Sequence, residues 1–193
     1  MLIAALMGAG TMGALALPHT LLDWQPAHAA SHPWRAWTAV FVHYSALHVA
    51  ANLAGLALIA ALGWAAQLPR RSVVAWAAAW PLTQIGLLMQ PQLLHYGGLS
   101  GVLHAGLAVV AVHLVATGGA ARRGIGLAIV AALGLKLLLE APWAGPLRHV
   151  RGWDIAIAPL AHASGVAAGL VCSALTELVA HQRKPGTGIH DHD

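Results

Sequence analysis

Charged side chains are scarce in this chain: Asp, Glu, Lys and Arg make up 8% of its 193 residues, against 59% hydrophobic residues. With a mean hydropathy of +0.70, a water-soluble fold would have too few polar side chains to cover its surface, so the composition reads as an integral membrane protein. Cysteine is nearly absent. The single Cys172 lies in an apolar stretch with no partner in the chain, which excludes an intrachain disulfide and leaves the compartment unread. Length excludes a soluble domain as well, because six spans of about 20 residues use about 120 positions and leave only short loops. The formal charge of +4 and a pI near 10.0 could suggest nucleic acid. The basic residues sit instead as pairs beside apolar runs, the pattern that sets membrane topology, and no nucleic-acid partner is expected.

Six apolar runs are present, at about 1–22, 45–65, 72–90, 100–117, 124–141 and 157–180. They predict an all-α, six-span membrane bundle forming one domain over residues 1–180, with a disordered, cytoplasmic polar tail over 181–193. The opening Met1 to Leu17 resembles a secretory h-region but lacks a basic n-region, so it reads as a retained first helix. Arg70-Arg71, Arg122-Arg123 and Arg183-Lys184 follow the second, fourth and sixth runs. The other side carries Arg35, Arg148 and Arg151 with Asp23 and Asp154 nearby. The positive-inside rule then puts both termini in the cytoplasm, and the second, fourth and sixth helices start in the outer leaflet. His48, Asn52, Ser100 and His162 all lie near those starts.

Depth is countable. At about 1.5 Å per residue, His162 sits roughly 7–8 Å below the start of its run, and Ser100 must reach that level. The fourth run is short, and the uncharged loop Gln90 to Leu99 can dip into the outer leaflet if it is buried in protein or lines a wet cavity. Pro81 predicts a kink in the third helix, and Trp34, Trp37, Trp143 and Trp153 read as interfacial anchors.

Within Gly97-Gly98-Leu99-Ser100-Gly101-Val102-Leu103-His104 a serine stands between glycines where the loop enters a helix. A hydroxyl is a poor nucleophile until a base takes its proton, and neutral imidazole suits that task near pH 7. Ser100 and His162 supply such a pair, although each also reads singly as a helix-starting serine and an interhelical hydrogen-bonding histidine. No acidic residue lies near His162 in sequence, so the pair is expected to act as a dyad with the histidine oriented by packing. His48 and Asn52 are spaced i, i+4 and share one helix face; with the Ser100 backbone N–H they would form a three-donor oxyanion pocket, or else ordinary interhelical hydrogen bonds. A metal site at His43, His48, His104 and His162 is disfavoured, since no carboxylate or thiolate joins them. Gly165 and Gly169 form a small-residue face on the sixth run, opposite Gly101, Ala105 and Ala108 on the fourth. Lys136 and Glu140, also i, i+4, are expected to neutralise each other in a structural role.

These residues, in this order, resemble the rhomboid family of intramembrane serine proteases. Trp34-Arg35, Thr38, Phe41, His43, His48 and Asn52 are similar to its first-loop and second-helix signature. Gly98-Leu99-Ser100-Gly101 is similar to its nucleophile motif, and His162, Gly165 and Gly169 to its sixth-helix pattern. Over residues 34–175 the resemblance implies a six-helix rhomboid-like bundle with Ser100 as nucleophile and His162 as general base. It further implies His48, Asn52 and the Ser100 amide as oxyanion site, Gly98, Gly101, His104, Gly165 and Gly169 in support, and no cofactor or metal. Many rhomboids carry tyrosine four residues after the serine, packed on the catalytic histidine, where this chain has His104. That substitution and the minimal loops look most like the rhombosortase branch. The resemblance then implies a bacterial inner-membrane enzyme with its site toward the periplasm, cutting C-terminal Gly-Gly and transmembrane sorting tails from exported, membrane-anchored proteins; the alternatives are a general rhomboid protease cleaving other single-span membrane proteins and a non-catalytic rhomboid-like scaffold.

Overall fold

The computed structural model describes residues 2–182. Met1 and residues 183–193, which hold nearly all of the expected tail, lie outside the described residues. Those described are all-helical, with two isolated β-bridges and no strand. The order is α1 (Leu2–Ala14), α2 (His19–Leu22), α3 (Arg35–Thr38), α4 (Ala46–Ala65), α5 (Arg70–Ile85), α6 (Ser100–Thr117), α7 (Ala120–Glu140) and α8 (Pro159–Gln182), with 3-10 turns at Pro26–His28, Ala39–Phe41 and Gly86–Met89.

Four helices are long and apolar enough to cross a membrane: Ala46–Ala65, Arg70–Met89, Ser100–Thr117 and Pro159–Gln182. The first and fifth apolar runs depart from the expectation of six equivalent spans. Run 1–22 is not one helix, because Pro18 supplies no N–H and forces the preceding residue out of the helical region, so α1 ends at Ala14 and α2 restarts at His19. Thirteen residues reach only about 20 Å, short of a hydrocarbon core of about 30 Å. α7 has the length, 21 residues, but carries Arg122 and Arg123 in its first turn, Lys136 near its end and Glu140 as its last residue. Pro81 lies inside α5, which passes into a 3-10 turn at Gly86.

The helix starts follow from local chemistry. Ser45 caps α4, accepting from the His48 backbone N–H at 3.0 Å. α8 opens on Pro159, whose fixed φ and missing N–H suit a first helical position. α6 is the central helix, with Ala105, Ala108, Val110 and Ala111 fully buried. It packs most tightly on α8, where a Cβ on Gly169 would lie 2.9 Å from Ala105 Cα and one on Gly165 would run into the Gly101 carbonyl. α7 packs along α6, where a Cβ on Gly126 would stand 2.8 Å from the Ala111 carbonyl oxygen, and Leu133 of α7 shares a cluster with Ala108 of α6 and Val166 of α8. The other face of α7, with Leu135, Leu138 and Leu139, is exposed, as a lipid-facing stripe requires.

Two irregular segments complete the bundle. The loop before α6 buries Leu93, Tyr96 and Leu99 and is pinned by paired Trp24 and Tyr96 backbone bonds of 2.8 Å and by Gly98 N–H to the Ala39 carbonyl at 2.9 Å. Asp23, 1% exposed, accepts from Gln25 Nε2 at 2.8 Å, meets His95 Nδ1 at 2.6 Å and lies 3.7 Å from the Arg35 guanidinium. The loop after α7 doubles back through an Arg148–Ile157 bridge and is tied to the α4 cap by Ser45 Oγ donating to Asp154 at 2.8 Å.

Candidate active site

His48 near the start of α4, Ser100 at the start of α6, His162 in the first turn of α8 and Glu140 at the end of α7 gather at one end of the bundle. Ser100 Oγ lies 3.1 Å from His162 Nε2. That approach depends on glycine twice. Gly98 has φ +129°, a left-handed conformation other residues rarely adopt, and a Cβ there would sit 2.7 Å from His48 Nε2. On the α8 side, only a residue without a Cβ at Gly165 lets the backbone carrying His162 rest on the carbonyl of Gly101.

The second nitrogen of His162 faces a carboxylate, contrary to the expectation of a histidine held by packing alone. Glu140 Oε2 lies 2.6 Å from His162 Nδ1, while Oε1 takes Lys136 Nζ at 2.5 Å. The reading of Lys136 and Glu140 as a self-contained pair is corrected accordingly: the carboxylate has two partners. Sequence spacing does not signal this contact, because 22 residues and a loop separate Glu140 from His162, and the end of α7 meets the first turn of α8 only in the folded chain. A carboxylate accepting from Nδ1–H leaves Nε2 unprotonated and able to accept from the serine hydroxyl.

His104 lies flat on His162, with ring centroids 4.3 Å apart and planes 18° from parallel. Its Nδ1 donates to the Ser100 carbonyl at 2.7 Å, which fixes the ring. His48 and Asn52 are both buried and border the same cavity as Ser100 and His162, of about 700 Å³. Asn52 Nδ2 has no hydrogen-bond partner; a buried donor left unspent is costly and stands out. His48 Nδ1 accepts from the Tyr44 N–H at 3.5 Å, the limit of a hydrogen bond, and Nε2 is thereby the protonated nitrogen, beside Gly98. The N–H of Ser100, at the first position of α6, has no acceptor within its helix.

The surrounding groups are neutral. Burial holds His43 below its ordinary range, and its ring packs against His48 at 4.7 Å. Burial likewise raises the Tyr44 phenol and raises that of Tyr96 to about 12, so Tyr96 donates as a neutral hydroxyl to the Gly98 carbonyl at 3.4 Å. The parts assembled around the cavity are a hydroxyl, an imidazole with a free lone pair, a carboxylate behind it and unspent N–H donors in front, which together can perform acyl transfer. Neither a family model nor a curated protein matches the chain, and the chemistry of the site stands on its geometry alone.

Proposed function

We propose that this protein is an intramembrane serine endopeptidase of the rhomboid type. The observation that carries the reading is the 3.1 Å approach of Ser100 Oγ to His162 Nε2 at the wall of a cavity that also holds the unpaired Asn52 amide. His162 takes the hydroxyl proton as Ser100 attacks the scissile carbonyl. Asn52, His48 and the Ser100 N–H receive the oxyanion, and His162 returns the proton to the departing amine before water releases the acyl enzyme.

The cavity fits a membrane-embedded substrate. Leu58 of α4 and Leu139 of α7 both border it and are exposed on the outside of the bundle, and each of these two helices packs chiefly on α6. A client helix can therefore reach the serine sideways from lipid. In this reading α1, carried further by α2, and α7 join the four long apolar helices in a six-crossing bundle. Both termini are cytoplasmic, and the site opens to the periplasmic side of a bacterial inner membrane.

The substrate proposed is an exported protein with a C-terminal Gly-Gly segment, one membrane helix and a basic cytoplasmic end, as in the rhombosortase branch. Small residues suit the scissile segment because a helix must unwind before its carbonyl is reachable, and Gly weakens a helix by about 1 kcal/mol relative to Ala. Two reporters offered in parallel to purified protein in liposomes test the proposal, one with that tail and one with a membrane helix following an N-terminal cytoplasmic segment. Cleavage of the first, abolished by Ser100→Ala and by His162→Ala, is expected. Preference for the second reporter overturns the sorting-tail substrate, and turnover retained in either variant overturns the protease.

A further inference from the structure

We propose that Glu140 is a positioning residue for His162, so that the dyad works as a serine–histidine–glutamate relay whose third member comes from α7. The inference rests on the serine-protease reading and adds a residue to it. Three observations carry it.

The first is the direct contact, Glu140 Oε2 to His162 Nδ1 at 2.6 Å, within the short range of charge-assisted hydrogen bonds. The second is the place of Glu140 in its helix. It is the last residue of α7, and Ala141 leaves at once in the left-handed conformation with φ 49°. A carboxylate there faces the negative end of the helix dipole, which disfavours it. Within α7 only the half-exposed Lys136 offsets that cost. The third is burial: the Glu140 side chain is 12% exposed, and the Lys136 side chain that shares it is 45% exposed. The lysine reaches water by itself, whereas the carboxylate is held inward on the histidine.

The chemical consequence is tautomer selection. A neutral imidazole carries its proton on either nitrogen, and only the Nδ1–H form leaves Nε2 free for the hydroxyl of Ser100. The Glu140 carboxylate accepts and cannot donate, so it selects that form, and it then faces the imidazolium produced when the serine proton arrives. Glutamine at the same place can offer an N–H to Nδ1 and select the idle tautomer, so the amide is the informative substitution.

The test uses the full-length protein in liposomes, following turnover of a membrane-anchored reporter and the rate at which a fluorophosphonate labels Ser100. Glu140→Gln is expected to lower kcat at least about 100-fold with KM within about threefold, and to slow labelling in parallel. Glu140→Asp, which keeps a carboxylate one methylene shorter, recovers about tenfold of that loss and stays about tenfold below the unmodified protein. Lys136→Met, which removes the other partner, costs less than about tenfold. Equal losses in Glu140→Gln and Lys136→Met would show that Glu140 serves the ion pair and overturn the proposal, as would a Glu140→Gln rate within threefold of the unmodified protein. If Glu140→Gln does not fold, Glu140→Asp decides: about a tenfold loss of kcat at unchanged KM and melting temperature supports the relay, and an unchanged kcat overturns it. A parent protein that neither takes the label nor cuts the reporter overturns the serine-protease reading, and the relay with it.

Discussion

The ring of His104 covers one face of the His162 imidazole, 4.3 Å between centroids and 18° from parallel. An aromatic pair of this kind contributes about 0.5–1.5 kcal/mol beyond its buried area. Here it also removes freedom from the ring that must meet Ser100. His104→Phe keeps the stack and loses the bond to the Ser100 carbonyl, so its kcat is expected within about tenfold of the parent. His104→Ala loses both and should fall several times further. Reporter kinetics on the two variants check the order; equal losses in both would show that the hydrogen bond, and not the stack, orients His162.

Asn52→Ala separates an oxyanion role from a structural one. Its Nδ2 has no partner, so deletion removes no hydrogen bond from the folded state and the melting temperature should hold or rise. One lost donor costs about 3 kcal/mol in the transition state, near two orders of magnitude in rate. A large fall in melting temperature with an unchanged rate per folded molecule would assign Asn52 to the fold.

Gly165→Ala should separate α8 from α6, because the new methyl would run into the Gly101 carbonyl. Overpacking of this kind costs roughly 1–3 kcal/mol, and the serine–histidine distance opens with it. Gly134→Ala is the control. Nothing lies within 4 Å of a Cβ there, and alanine favours a helix over glycine by up to about 1 kcal/mol, so stability should hold or rise with activity kept. Thermal denaturation in detergent measures both.

Acid should weaken the fold through His43. Its folded pKa lies below the ordinary 6.5 because of burial, so the unfolded chain takes up the proton first as pH falls. The stability tied to neutral His43 is complete above pH 6.5 and is lost as pH drops from there toward the lowered folded value, at up to about 1.4 kcal/mol per pH unit for one proton. His43→Phe should flatten the melting-temperature profile between pH 7 and 5. An identical slope in the variant would assign the acid sensitivity to another group.

The legible parts of this molecule were those governed by a local or periodic rule. The shared helix ends of the fourth and sixth runs pointed to Ser100 and His162, which meet at 3.1 Å, and the small faces at Gly101, Gly165 and Gly169 mark the helix pair that carries them. The missing parts depend on chain returns that no local pattern encodes. Glu140 sits four residues from Lys136, and that spacing offered a sufficient account of both charges. Ser45 and Asp154 meet across 109 positions, where neither residue signals the other. The break at Pro18 was open to reading, but the apolarity of residues on both sides outweighed a single helix-stopping residue.

The pairing of Trp24 with Tyr96 bears on how the protein is made. The loop that delivers the nucleophile is buttressed by segments synthesised well before it, at Trp24 and Ala39, whereas the base and its carboxylate emerge afterwards, at 162 and 140. When α6 has been made, every partner of the Trp24 and Ala39 backbone bonds is present, but His162 and Glu140 are not. On the serine-protease reading, the pair of Ser100 and His162 is complete only once α8 has been made.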